Sequence, residues 1–465
     1  MGPTENTLRS PCITYLSLIV RNIFQVLTGG HQTMQKGARP SATIRSKDPS
    51  SFCRYAIIKG LTQMLPRHWS VVCGLMASLL IALCSCTHKS PDITSHEAAA
   101  KADTVPALRD ADDAARFIAG LPGTAASPFA SFEATDSWKE HRRRLDEAWR
   151  KTEDTLMSGL REFQKEELDE ASLRSSPVFY PFGGPDALTP ALYFPQTPIY
   201  VIVGLEPAGT LPTPSQIERK GLPKYLAEMR ETVDSELSRS FFVTRQMDHQ
   251  LRGQVTDGVL LPILHLLVRM HNTVLGMRYV RLDDQGWVID RAIGYKAPGR
   301  FGNKGIEIEF RTDSEQSTHK LYYFPVNLSD ERLNENKPFL LYLSRLKGTT
   351  TLLKATSYMT HQPQFSLIRD QILANSSAIL QDDSGIPYRY FQTGDWNVQL
   401  FGDYSRPYGS FRWLEQSDLR KAYESAGAKP LAFHVGYGYS RITSNLLLGR
   451  HANLGASLKR PEELR

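Results

Sequence analysis

Beyond Cys86 the chain has no cysteine: all five (Cys12, Cys53, Cys73, Cys84, Cys86) lie in the first 86 residues, and the other 379 contain none. That excludes a disulfide, a thiolate nucleophile or a cysteine-ligated metal from most of the protein. A positive field is missing too. The formal net charge is +6, but nine of the 55 Lys and Arg and two of the 49 Asp and Glu precede Cys86, leaving 46 basic against 47 acidic residues. This near-neutral body has no electrostatic footprint for nucleic acid. His-Glu-x-x-His, Gly-x-Ser-x-Gly and Walker-type loops are absent, which argues against zinc and serine-hydrolase chemistry. The histidines do not assemble into a ligand set. His265 and His271 do not share a helix face, Asp248-His249 lacks a third ligand, and His434 alternates in a strand-like stretch. Neither a metal nor a cofactor is expected.

What is present begins with residues 64–85. Met64-Leu65-Pro66-Arg67 precedes a sixteen-residue apolar run from Val71 to Cys86. That is short of the roughly 20 residues of a membrane span, and it fits the apolar region of a signal peptide. Its end, Leu83-Cys84-Ser85-Cys86, resembles the bacterial lipobox. The resemblance implies that Cys86 becomes the first mature residue and carries a diacylglycerol, with palmitate as the natural acyl label. Stable anchoring takes more than one acyl chain. The expected location is the bacterial cell envelope, lipid-anchored on the outer membrane or cell surface. The partners are then the membrane, through Cys86, and an envelope protein or small-molecule ligand. Residues 1–63 read as an upstream extension from a mis-placed start, or as disordered chain. If they are made, the internal apolar run would act as a membrane anchor.

The mature chain divides into a flexible tether over 86–131, rich in Ala, Asp, Ser, Thr and Pro, and one α/β domain over 132–465. A short helix is possible within the tether near Asp110–Ala119. Trp138, Leu145, Trp149, Leu156, Leu160 and Phe163 recur at helical spacing and predict a long amphipathic helix. The run His141-Arg142-Arg143-Arg144 is expected on its solvated face. Strands are expected near Val178–Phe182, Ile199–Val203 and Val274–Leu282, with a buried helix over Gly258–His271. In the second half, Gly305–Phe310 should pair with Lys320–Val326. Helices are expected at Pro338–Leu346 and Gln364–Ala374, and strands at Trp396–Phe401 and Leu431–Tyr437. The expected fold class is α/β, a Rossmann-like mixed sheet flanked by helices, parallel in the first half and built of antiparallel hairpins in the second.

Two constellations bear chemistry. In the first, an apolar run ends in Gly183-Gly184-Pro185-Asp186 and a second ends on Glu206, twenty residues after Asp186. A glycine turn followed by an acid at the next strand tip is the outline of a dinucleotide cradle. The segment resembles a degenerate class I methyltransferase or Rossmann-type core. It departs from that pattern in lacking Gly-x-Gly-x-x-Gly, and Pro181 and Pro185 remove amide donors. The second is Asp382-Asp383-Ser384-Gly385, with His361 upstream and Asp395 downstream. Paired acids on such a loop suit a divalent cation or an acid/base pair, or an Asx-type turn. Gly183, Gly184, Asp186, Glu206, Asp382 and Asp383 are therefore the ligand-binding candidates, and no residue is assigned as catalytic. An aromatic group (Tyr404, Tyr408, Phe411, Trp413, Tyr437, Tyr439) suits sugar stacking or packing on the core.

As a whole the chain resembles a family of exported bacterial lipoproteins that carry the Tyr-Pro-Phe-Gly-Gly-Pro-Asp and Gly-Leu-Glu-Pro segments and the Asp-Asp-Ser-Gly-Ile-Pro loop. The resemblance implies no activity. The leading expectation is a non-catalytic binding or scaffold domain. The alternative is an envelope enzyme of methyltransferase-like fold. S-adenosylmethionine, NAD and ATP are not normally supplied outside the cytoplasm, which sets the location against the nucleotide reading.

Overall fold

The computed structural model describes residues 108–239, 257–291, 304–313, 317–407, 409–425, 427–436 and 444–453. The expected extension, signal peptide, lipidation site Cys86, Asp248-His249, Tyr408 and Tyr437–Tyr439 lie outside the described residues. All described residues fall in the unit Thr104–Arg465. Among them, no helix is long and apolar enough to cross a membrane.

The fold is α/β. Among the described residues ten strands form one mixed sheet: β1 Val178–Tyr180, β2 Ile199–Gly204, β3 Asn272–Leu282, β4 Val288–Asp290, β5 Lys304–Thr312, β6 Thr318–Pro325, β7 Thr349–Leu353, β8 Ser376–Gln381, β9 Trp396–Gly402 and β10 Asn445–His451. Their order across the sheet is β4-β3-β5-β6-β2-β1-β7-β8-β10-β9. The five central strands, β6-β2-β1-β7-β8, pair parallel, and the flanking pairs on both sides are antiparallel.

The expected division into a parallel first half and an antiparallel second half is therefore corrected. Parallel strands come from both halves of the chain and sit in the middle, with antiparallel strands at both edges. The physical reason is burial. β1, β7 and β8 are buried along their whole length, as strands covered on both faces must be. The longer strands β3 and β9 mix buried with partly exposed positions and suit the flanks. The hairpin of β5 and β6 pairs as expected, with Ile306 opposite Tyr323 and Ile308 opposite Leu321.

Each face of the sheet carries its own apolar core. Val178, Tyr180, Tyr200 and Ile202 point to one, which includes α4 Leu188–Tyr193 and α7 Leu260–Arg269. The intervening Phe179, Val201 and Val203 point to the other, with α9 Lys337–Arg345 and α10 Ser366–Asn375. Handedness accounts for this split. The β1–α4–β2 and β7–α10–β8 crossovers run in opposite directions across the sheet, and right-handed crossovers in opposite directions put their helices on opposite faces. Every residue of α7 is buried, in keeping with its uniform hydrophobicity.

The folded body starts earlier than expected. α1 Leu108–Ile118 is packed into the first core through Ala114, Ala115, Phe117 and Ile118, and Phe117 stacks on Phe129 at 4.7 Å. Residues 108–131 are thus part of the domain and not a tether. Small apolar side chains at helical spacing, hidden in an Asp-rich stretch, carry that packing. The long amphipathic helix is present as α2 Asp136–Thr152 and α3 Ser158–Phe163, interrupted and followed by π turns at Glu153–Met157 and Gln164–Leu168. Trp138, Leu145, Leu156, Leu160 and Phe163 are buried.

His141 departs from the expected solvated face. It is fully buried, its Nε2 lies 2.9 Å from the Ile118 carbonyl, and Arg230 contacts its Nδ1 at 3.0 Å. Burial, opposed by that carbonyl, pushes its pKa down to about 4, so it serves as a neutral core residue tying α1 to α2. Arg143 and Arg144 do face solvent, paired with Glu140. Residues 431–436 are irregular and not a strand. β10 is already paired on both edges, and Pro430 cannot extend the single bridge between Lys429 and Phe401.

Candidate functional site

Parallel strands all end at one edge of the sheet, and in open α/β sheets the crevice there, where strand order reverses, is the usual place for a ligand. Here the reversal lies between β1 and β7. The first sequence constellation follows β1 and β2, and the second follows β8, so the fold brings their acids to the same edge.

The glycine turn after β1 packs against its own chain. Gly184 has φ +57° and its N–H donates to the Val203 carbonyl at 3.3 Å, at the end of β2. A Cβ on Gly204 would lie 2.9 Å from Gly184 Cα and 2.7 Å from Tyr323 Oη, so the two backbones meet where only glycine fits. The Cβ missing from Gly183 would collide with the Tyr180 ring. Glu206 is buried at the tip of β2. Its Oε2 accepts from the Leu205 N–H at 3.0 Å, and its carbonyl accepts from Tyr323 Oη at 2.8 Å. The amides of Gly184, Asp186 and Ala187 are thus engaged by carbonyls of the chain itself.

Asp186 lies across the reversal point. It is 1% exposed, and the Nζ of Lys354, itself 3% exposed, donates to its Oδ2 at 2.6 Å and to Thr189 Oγ1 at 2.7 Å. Tyr180 Oη donates to the same oxygen at 2.9 Å, and the Thr189 N–H donates to Oδ1 at 2.9 Å. Burial disfavours the carboxylate, but the Lys354 charge and these hydrogen bonds outweigh it and hold the Asp186 pKa below the usual range. An ion pair therefore occupies the crevice between β1 and β7.

Asp382 and Asp383 continue the same polar layer. The Ala355 N–H donates to Asp382 Oδ2 at 2.8 Å, and the Ser384 N–H donates to Oδ1 at 3.0 Å. This is the Asx-type turn anticipated beside the cation reading, and it also clamps β8 to the chain leaving β7. Burial raises the Asp382 pKa, opposed by Ser384, Ala355 and the charge of Lys354. Asp383 accepts from Tyr358 Oη at 2.5 Å, and Asn445 of β10 donates to its other oxygen at 3.4 Å. Burial, then the neighbouring Asp382 charge, pushes its pKa up to about 7 against those two donors. Tyr193 Oη is buried in the field of Asp186 and Asp382 and has no hydrogen-bond partner among the described residues.

Of the other candidates, His361 joins this region. Its ring is 5.2 Å from that of Tyr358, and burial holds its pKa down to about 4. Asp395 does not join. It precedes β9, which runs parallel to β8, so it lies at the opposite end of the sheet, where its Oδ2 accepts from Thr393. His271 is exposed and His265 is buried in the first core. Among the described residues no three His, Cys, Asp or Glu side chains are grouped to hold a metal. In the aromatic group, Phe411 packs on Tyr358 at 5.1 Å and Tyr404 on Tyr423 at 6.2 Å, whereas Trp413 is 71% exposed.

Sequence reasoning missed Lys354, Tyr180 and Tyr358. β7 was not expected as a strand, so Lys354 was not seen to close it. The available signal was a lone lysine ending the run Thr349-Thr350-Thr351-Leu352-Leu353. A scan against protein-family models, a search of curated proteins and a search of solved structures each return no match.

Removing one partner of a buried ion pair strands the other charge. Lys354→Met should cost about 3–5 kcal/mol in urea unfolding, with much of that loss recovered in Lys354→Met/Asp186→Asn. An additive double variant would show that the two side chains do not act as a pair. Asp383 carries a pH signature. An acid with a raised folded-state pKa adds stability below its ordinary value of 3.8 and loses it as pH climbs through about 7. Asp383→Asn should flatten that fall when unfolding free energy is followed across the window, and an unchanged slope would assign it to another group.

Proposed function

We propose that this chain is an envelope-anchored lipoprotein, held by lipid on Cys86, whose α/β body is a non-catalytic binding domain. The carrying observation is the buried Asp186–Lys354 pair, which fills the crevice where a nucleotide fold of this kind would place its ligand. The glycine turn adds support, because the Gly184 N–H donates to the Val203 carbonyl and is not free for a phosphate. Each carboxylate oxygen of Asp186 and Asp382 likewise accepts from a donor within the chain. Such acids hold loops together and have no geometry for passing a proton to a substrate. The lipobox-like Leu83-Cys84-Ser85-Cys86 carries the anchoring part of the reading.

The second reading, an envelope enzyme of methyltransferase-like fold, draws on strand order. Numbered among themselves, the central strands run 3-2-1-4-5, the doubly wound order. With β10 and β9 added, the series becomes 3-2-1-4-5-7-6 with the seventh strand antiparallel, an arrangement similar to that of class I methyltransferases. Glu206 at the tip of β2 occupies the ribose-binding position of that resemblance. Its site would comprise Gly183, Gly184, Asp186 and Glu206.

Thermal melting of the full chain with S-adenosylmethionine, NAD and ATP separates the two. The binding reading expects an unchanged melting temperature with all three. A rise with one nucleotide, removed by Glu206→Ala, would establish the enzyme-like crevice instead. For the anchor, radiolabelled palmitate should enter the wild-type chain and be lost in Cys86→Ser; label retained in the variant rules out lipidation there.

A further inference from the structure

A cavity of about 360 Å³ lies beside the filled crevice, at the same edge of the sheet. Its walls are the tip of β2 with the loop that follows (Leu205, Pro207 to Thr210), the end of β6 at Pro325, the start of β5 at Lys304 and Gly305, and Tyr279, Arg291 and Asp257. Its size is that of a small-molecule site, which runs from roughly 300 to 1,000 Å³. Neither Asp186 nor Glu206 lines it.

The charges on these walls are unbalanced. Asp257 is engaged by Thr210, whose N–H donates to Oδ1 at 2.7 Å and whose hydroxyl donates to Oδ2 at 2.9 Å. Among the described residues no carboxylate lies within ion-pair distance of Arg291 or Lys304. The Arg291 guanidinium stacks over the Tyr279 ring, 4.4 Å from its centroid. Stacking fixes the plane of the group and leaves its edge, which carries the N–H donors, available for a planar or tetrahedral oxyanion. Tyr279 is fixed in turn, because its hydroxyl donates to the Gly209 carbonyl at 2.9 Å. Facing these cations are apolar surfaces of Leu205, Pro207, Ala208 and Pro325, with Leu205 left 40% exposed.

We infer that this cavity binds a small organic anion, its carboxylate or phosphate held by Arg291 and Lys304 and its apolar body lying against Leu205, Pro207 and Pro325. The inference rests on the binding-domain reading and gives it a ligand class.

Isothermal titration of the full chain with phenyl phosphate, 4-phenylbutyrate and neutral 4-phenylbutanol tests it. At least one anion should bind about tenfold or more tightly than the alcohol, and Arg291→Met and Lys304→Met should each weaken it by about tenfold, the scale of losing one charge-assisted contact. Melting temperatures of the two variants check that they remain folded. The tighter of the two anions distinguishes a phosphate from a carboxylate ligand. Absence of binding by both anions overturns the inference, as does anion binding that both substitutions leave unchanged. Alcohol binding as tight as that of the anions overturns the anionic ligand but leaves the binding reading standing. A nucleotide-specific melting shift removed by Glu206→Ala overturns the reading itself.

Discussion

The buried contact between Asp186 and Lys354 is the constraint on which the carboxyl-terminal edge of the parallel strands depends. A charge pair at 2.6 Å with both side chains almost wholly hidden costs a large desolvation free energy. It persists because Tyr180 and the Thr189 N–H donate to the two oxygens of Asp186, and the Thr189 hydroxyl accepts from Lys354. Those partners come from β1, from the turn after it and from α4, while the lysine comes from the end of β7. The pair therefore stitches the two strands between which the order of the sheet reverses. Next to it, Asp382 binds the Ala355 amide and joins β8 to the same assembly. Three strand ends are locked together by polar contacts.

That lock has a functional consequence. In an open sheet with parallel strands the point where strand order reverses is a natural opening, because the crossovers on either side depart to opposite faces. Here a buried ion pair joins the two strand ends, and a cavity lies to one side, at the β2–β6 boundary. The two places differ in charge. The filled crevice is dominated by carboxylates with one lysine, whereas the cavity holds two cations and one carboxylate already engaged by Thr210. The binding reading proposed for the protein rests on this difference along one edge, where acids are bonded within the chain and two cations line the cavity.

Periodicity was a good guide wherever a segment met a single environment. The largely apolar α7, the hairpin of β5 and β6 and the tryptophan-bearing α2 were legible from their local patterns. Failures occurred where context overrode pattern. His141 sits within a run of arginines, yet the angular step of the helix turns it onto Ile118. Residues 108–131 have the composition of a tether, but alanines on one face of α1, with Phe117 and Ile118, are enough to dock it. Residues 431–436 alternate like a strand, but Pro430 stops the bridge of Lys429 to β9 from extending into them. β7 is too short, and too rich in threonine, to stand out at all.

By itself the sequence determined the apolar segment that ends at Cys86, the cysteine-free and nearly neutral body, the α/β class and the acids worth examining. These depend on composition and on local periodicity, which need no knowledge of what packs against what. The tertiary structure alone decided that Asp186 and Asp382 share Lys354 across 168 and 28 residues of chain, respectively. It likewise decided that Glu206 folds back onto its own turn, and that Arg291 and Lys304 meet at an open cavity. Long-range electrostatic partnership is set by strand order, and strand order is a property of the whole sheet, to which no single stretch of residues has access.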